Sequence, residues 1–180
     1  MVLQSNMIPH PKSQPGIALE MESGARRLGD RLAVSFLLFG DMGKAIVPQP
    51  TKATRRDGLW KSTCFEVFVR RQAADAYLEY NFSPSGDWAA YGFDDYRANM
   101  RELTCNKPSI NVDASPGHLQ LSAEFDIPVN YDSPLRIGLS AVIEDASGHS
   151  SYWALKHSTG TPDFHRRNCF VWRIPAAGSA

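Results

Sequence analysis

Two short runs carry the residues best suited to chemistry. Cys64–Arg71 (CFEVFVRR) and Ala76–Ser83 (AYLEYNFS) both alternate, and only Gln72–Asp75 separates them, so they form a hairpin. Glu66 from the first run and Glu79 and Asn81 from the second then project on one face, with Phe68 and Tyr77 beside them. Paired strands lie ~4.8 Å apart, which puts two carboxyls from neighbouring strands within roughly 5–8 Å of one another. Carboxylate and amide groups hydrogen-bond vicinal hydroxyls, and an aromatic ring packs on the apolar face of a pyranose, so this mixture suits a sugar. The plainer alternative is a wet outer face, the usual fate of alternating charges on an antiparallel strand.

A second set gathers at strand ends. Trp60, Trp88, Tyr91, Tyr96, Tyr152 and Trp153 occur near Arg97, His157, Asp163 and His165. The stretch SYWALKHSTGTPDFHRRN (151–168) is dense in charge for a spacer, and polar chemistry held on a loop is a functional hint. Half or more of the tryptophans in such a chain ordinarily pack in the core, and Trp172, in an alternating terminal run, is assigned there. The candidate ligand-binding residues are therefore Trp60, Glu66, Glu79, Asn81, Trp88, Arg97, Trp153, His157, Asp163 and His165. Glu66 and Glu79 also admit a glycosidase-like acid–base pair. No phosphate loop, dinucleotide fingerprint, HExxH or GxSxG elbow accompanies them, and the balance favours binding over catalysis. His118, His149, His157 and His165, with Met42 and Met100, are donors for a metal or haem. No two histidines stand i, i+2 or i, i+4, so spacing gives no metal site and no cofactor is expected. The Asn81-Phe82-Ser83 sequon falls inside a strand and precedes Pro84, so chance explains it better than glycosylation.

The elements that must hold these residues are strands. Ile17–Glu22, Arg31–Phe39, Cys64–Arg71, Ala76–Ser83, Asp87–Phe93, Ser109–Ala114, His118–Ile127, Arg136–Asp145, Ser151–Leu155 and Phe170–Ile174 have strand periodicity or composition. Gly24 and Gly29 suggest a long connection between the first two, and Asp94–Leu103 is the best candidate for a helical turn. About nine to eleven strands with little helix predict an all-β, two-sheet antiparallel β-sandwich, immunoglobulin-like or jelly-roll-like. The 180 residues make one domain, 1–180, in which 1–16, with Pro9, Pro11 and Pro15, are an extended leader. Apolar residues are 43% and charged residues 21% of the chain, and 19 basic residues balance 19 acidic ones, so no net field draws nucleic acid or an anionic membrane. No apolar run approaches the ~20 residues of a membrane span. The three cysteines, Cys64, Cys105 and Cys169, form no ligand motif, and no secretory signal precedes the first strand, so a cytoplasmic protein is expected.

The run Leu59-Trp60-Lys61-Ser62-Thr63-Cys64-Phe65-Glu66-Val67-Phe68 resembles the opening of DOMON-like domains. The resemblance continues through YLEYNFSPSGDWAAY (77–91), LSAVIED (139–145), YWALKH (152–157) and PDFH (162–165), covering about Leu59 to Ile174. It is strongest to the bacterial branch found with MurB-type dehydrogenases, and it extends more distantly to family 9 carbohydrate-binding modules. The resemblance implies a β-sandwich that cups a sugar or a haem on one face, with Glu66, Glu79 and Asn81 facing the ligand. Haem-binding branches use a methionine with a histidine or lysine as axial ligands. Nothing in the chain is a flavin-binding segment, so the MurB association describes a neighbour. The expected partner is a sugar-like small molecule, with haem, a glycoside-processing activity, or a protein docked on the aromatic face as alternatives.

Overall fold

A computed structural model describes residues 2–128, 131 and 133–176. Among these the chain forms twelve strands: β1 (Val2–Pro9), β2 (Leu19–Leu28), β3 (Arg31–Gly40), β4 (Cys64–Arg71), β5 (Tyr77–Phe82), β6 (Trp88–Phe93), β7 (Arg101–Glu102), β8 (Ser109–Ala114), β9 (His118–Asp126), β10 (Leu135–Glu144), β11 (Ser150–Ala154) and β12 (Trp172–Ile174). Among the described residues helix is limited to single 3-10 turns such as Leu59–Lys61 and Arg167–Cys169. Every strand pairing is antiparallel, in the order β7-β6-β5-β4-β10-β11-β1-β2-β3-β9-β8, and β12 shares the β11 side of β10. This is the all-β sandwich architecture that the periodicity predicts.

The sheet curls into two layers because β1 changes partners. Val2–Met7 pair with β2, whereas Ile8 and Pro9 pair with β11, so one strand belongs to both layers. The inner faces meet in a single apolar core. Phe36 of β3 packs on Phe65 of β4 at 4.9 Å between centroids, and Phe125 of β9 packs on Tyr80 of β5 at 4.2 Å.

Three expectations need correction. Residues 2–9 are not a leader but a paired strand. Only Met7 of β1 is buried, so its sequence carries almost no alternation. The predicted break at Gly24 is the middle of β2. A Cβ there would sit 2.8 Å from Ser35 Oγ, so the glycine marks close approach of strands and not a turn. The hairpin instead closes at Gly29, in the left-handed region at φ +65°. Asp94–Leu103 is not helical. It makes a turn closed by Ala98 N–H to Asp95 O, then the short β7, with Arg97 and Asn99 both at φ +51°.

The feature that decides the site lies on the outer side of β4, β5 and β6. All residues of β5 and β6 are buried, on both faces. The 3-10 turn at 59–61 and the segment 156–171 fold over this outer face. Phe170, Phe164, Leu59 and Trp60 form a second apolar cluster there with Phe68, Tyr77, Tyr91 and Phe93. The face that alternation alone would leave wet is covered.

Candidate functional site

Between that outer face and its cover lies a cavity of about 320 Å³. The floor is Glu66 of β4 and Glu79 of β5. They are diagonal neighbours on one face, because Glu66 pairs with Asn81, two residues beyond Glu79. Trp60, Phe93, Tyr152, Phe164 and Met100 form the walls, and Arg97, Asp163 and His165 bring the remaining polar atoms. A wider groove of about 430 Å³ crosses the outer face of β1, β2 and β3. Its lining is strand amides, hydroxyls and Glu22, and its single ring, Phe36, is wholly buried, so it offers nothing to stack on a sugar.

Both carboxyls are 4% exposed. Ser140 Oγ–H donates to Glu66 Oε2 at 2.9 Å, and Asn81 Nδ2–H donates to Glu79 Oε1 at 2.8 Å. Glu66 Oε1 and Glu79 Oε2 accept no hydrogen bond among the described residues, and Glu79 Oε2 lies 3.7 Å from His165 Nε2. Burial raises the pKa of both carboxyls well above the carboxylate range, and the charge of Glu79 raises Glu66 further. Ser140 and Arg97 lower Glu66, and Asn81 and Arg97 lower Glu79, without offsetting the burial. Two carboxyls so close in so little solvent titrate as a pair, and at neutral pH the pair retains a proton. It can therefore donate as well as accept.

The Arg97 backbone N–H donates to Tyr77 OH at 3.2 Å, and Tyr77 OH and His165 Nδ1 share a hydrogen bond at 2.7 Å. With the phenol as its donor, the imidazole proton sits on Nε2, toward Glu79. Burial first, and the Arg97 charge second, lower this histidine to about 4, so the ring is neutral and its contact with Glu79 is not an ion pair. Phe68, Tyr77 and Phe93 pack edge-on around it.

Asp163 organises the rim. It accepts from Tyr96 OH at 2.7 Å, Arg166 Nε at 2.9 Å, Arg97 Nη2 at 3.2 Å and the His165 backbone N–H at 3.2 Å. These donors hold its carboxyl below the usual range against the opposing effect of burial. The Arg97 guanidinium, carried on a left-handed residue, is thereby fixed at the mouth of the cavity.

Of the ten residues expected at a site, Trp60, Glu66, Glu79, Arg97, Asp163 and His165 line this cavity. Asn81 lies beneath it, fully buried, supporting Glu79 and leaving its own Oδ1 unpaired. Trp88 and Trp153 do not reach it. Trp88 belongs to the inner core, under the Arg55 guanidinium at 4.2 Å, and the Trp153 indole N–H donates inward to Ser151 Oγ at 3.0 Å. His157 stands outside, its Nε2 bonded to Ile8 O at 2.8 Å and its ring edge-on to His10. Tyr152, Phe93 and Phe164 line the cavity without having been singled out as site residues. The signal for two of them was present. Tyr152 and Trp153 are adjacent in a strand, so only one can face the core, and Phe93 shares a face with Tyr91, opposite Trp88.

The sequence matches no family model and no curated protein. Solved structures do resemble the fold. A candidate carbohydrate-binding protein from Bacteroides uniformis ATCC 8492 is 13% identical with a TM-score of 0.66, over 94% of this chain and 83% of that one. A family 9 carbohydrate-binding module from Caldicellulosiruptor kristjanssonii, in complex with cellotriose, is 11% identical with a TM-score of 0.59, over 99% and 84%. The same organism's family 9 module with glucose gives 11% and 0.56, over 92% and 81%. The distant likeness to family 9 modules expected from the sequence is matched at the level of the fold.

Proposed function

We propose that the chain is a non-catalytic binding module that takes a sugar ring into the cavity between the outer face of β4–β6 and the segment 156–171. The observation that carries this reading is the pairing of hydrogen-bonding groups and rings in one enclosed space. Glu66 and Glu79 form the floor, Arg97 stands at the mouth, and Trp60, Tyr152, Phe93 and Phe164 surround them. A sugar has hydroxyls for the first set and an apolar ring face for the second. The similarity to structures of carbohydrate-binding modules supports the same reading.

Glycoside hydrolysis fits less well. It needs two carboxyls flanking the scissile bond, whereas Glu66 and Glu79 stand side by side on one sheet face. Haem also fits poorly. His165 and Met100 both line the cavity, but His165 Nδ1 is bonded to Tyr77 and Nε2 faces the buried Glu79 at 3.7 Å, so an iron on Nε2 would have to enter between the ring and that carboxyl. Isothermal titration with glucose, cellobiose, glucosamine and N-acetylglucosamine tests the proposal. Saturable binding that Trp60→Ala or Glu79→Gln weakens at least tenfold supports it. Absence of binding across the panel, together with a saturable shift of the Soret band as hemin is titrated with the protein, overturns it in favour of the redox reading.

A further inference from the structure

We infer that the cavity selects a basic sugar, a hexosamine with a free amino group, over its neutral and acidic counterparts. The inference rests on the proposed sugar-binding role and concerns which sugar the floor can satisfy. Glu66 and Glu79 line the cavity as residues each 4% exposed, and among the described residues neither Glu66 Oε1 nor Glu79 Oε2 accepts a hydrogen bond. A buried carboxylate ordinarily has a cation against it. Among the described residues no cation stands within ion-pair distance of this pair: the Arg97 charge acts on both carboxyls but is engaged by Asp163 at 3.2 Å, His165 is neutral, and no lysine lines the cavity.

The groups facing the pair from the packed elements are Ser140 on β10, Asn81 on β5, Cys64 on β4, Tyr91 on β6 with its hydroxyl donated to Asp57, Tyr77 and His165 at one side, and Arg97 with Asp163 at the mouth. None of them supplies a compensating charge at bonding distance to those two oxygens. A neutral sugar leaves the pair to keep its proton. An ammonium group replaces that proton as the counter-charge, and it brings three donors where two acceptors are open. Trp60, Tyr152 and Phe93 also line the cavity, and a ring face turned to the ligand favours a cation, because it carries partial negative charge. N-acetylation removes the charge and adds bulk at the same position. A uronic acid adds a third carboxyl to the floor.

The test is titration calorimetry slightly below neutral pH, repeated in two buffers of different ionisation enthalpy so that released protons are counted. The probes are glucosamine, N-acetylglucosamine, glucose and glucuronate. Glucosamine is expected to bind at least tenfold more tightly than glucose or N-acetylglucosamine and to release a proton on binding, with glucuronate weakest. Glu66→Gln and Glu79→Gln, which mimic the protonated carboxyls and should fold, are expected to weaken glucosamine more than glucose, so that the preference and the proton release are both lost. Equal affinity for glucose and glucosamine with no proton release overturns the inference and leaves the sugar-binding role standing. Tightest binding of glucuronate overturns it by making Arg97 the dominant group. No binding of any of the four removes the sugar-binding role itself, and the inference with it.

Discussion

At the residue scale, the two floor carboxyls make stability depend on pH in a defined direction. Their native pKa values lie above the ordinary carboxylate value of 4.5, so the native state holds more protons than the unfolded one between that value and about 8. Stability therefore falls as pH rises through this window. His165 acts oppositely, but only below its ordinary 6.5, where the unfolded chain gains a proton that the buried ring refuses. Asp87, Asp145 and Asp163, all held below the usual range, are ionised throughout. Above 6.5 the contribution of His165, and of His157, which burial also lowers, fades and the carboxyl slope dominates. Glu66→Gln is expected to raise stability at pH 8 by about 1–3 kcal/mol and to leave it nearly unchanged near pH 4.5, read from urea denaturation at both. The two tryptophans Trp60 and Trp153 separate binding from packing. Trp153→Ala empties a site 2% exposed in the core and should cost about 3–5 kcal/mol. Trp60→Ala should cost binding, with a melting temperature lowered by only a few degrees.

At the element scale, the site depends on how segment 156–171 seats against β10. Gly138 makes that seating possible. A Cβ at this position would lie 2.9 Å from Phe170 Cδ1 and 3.2 Å from Cys169 O. Gly138→Ala must push the Arg167–Cys169 turn outward, and with it the chain that carries Asp163, Phe164 and His165. It is expected to destabilise by about 1–3 kcal/mol, as overpacking does, and to weaken sugar binding in calorimetry. Gly138→Ala protein that binds as tightly as wild type would show that the cover is independent of this contact. The strands themselves were legible. Cys64–Arg71 and Ser109–Ala114 are found with the bounds expected from the sequence, because β-branched and aromatic alternation is strong there. Asp94–Leu103 was not, since local carboxylate bonds to Asn99 and Arg101 outweigh its weak helical pattern.

At the scale of the whole molecule, β1 joins the layers and also reaches the site. Its pairing with β2 and β11 covers two strand edges, and Ile8 O accepts from His157 Nε2, tying the start of the covering segment to the first strand. Deleting residues 2–9 exposes both edges and frees that segment. The expected outcome is a lower urea midpoint with concentration-dependent aggregation, measured by light scattering. Arg27 makes a second long-range tie, donating to the backbone carbonyls of Tyr131 at 2.6 Å and Ser133 at 3.1 Å. Arg27→Ala should cost about 1–3 kcal/mol and leave sugar affinity unchanged, because it leaves carbonyls far from the cavity without their donor.

The sequence by itself determined the sandwich class, most strand positions and the grouping of Glu66, Glu79 and Asn81 on one hairpin face. Period-two alternation and short turns are local properties, readable without knowing what packs where. Only the tertiary structure decided that this face is covered. Most of the cover is segment 156–171, about 80 residues further along the chain than the hairpin, and no local pattern reports a contact at that separation. The same long-range packing sent Trp88 and Trp153 inward, brought Tyr152 and Phe164 to the cavity wall, and placed both floor carboxyls on the cavity. Burial, which raises those carboxyls and lowers His165, is likewise a property of the folded molecule, since the unfolded chain exposes all three to water.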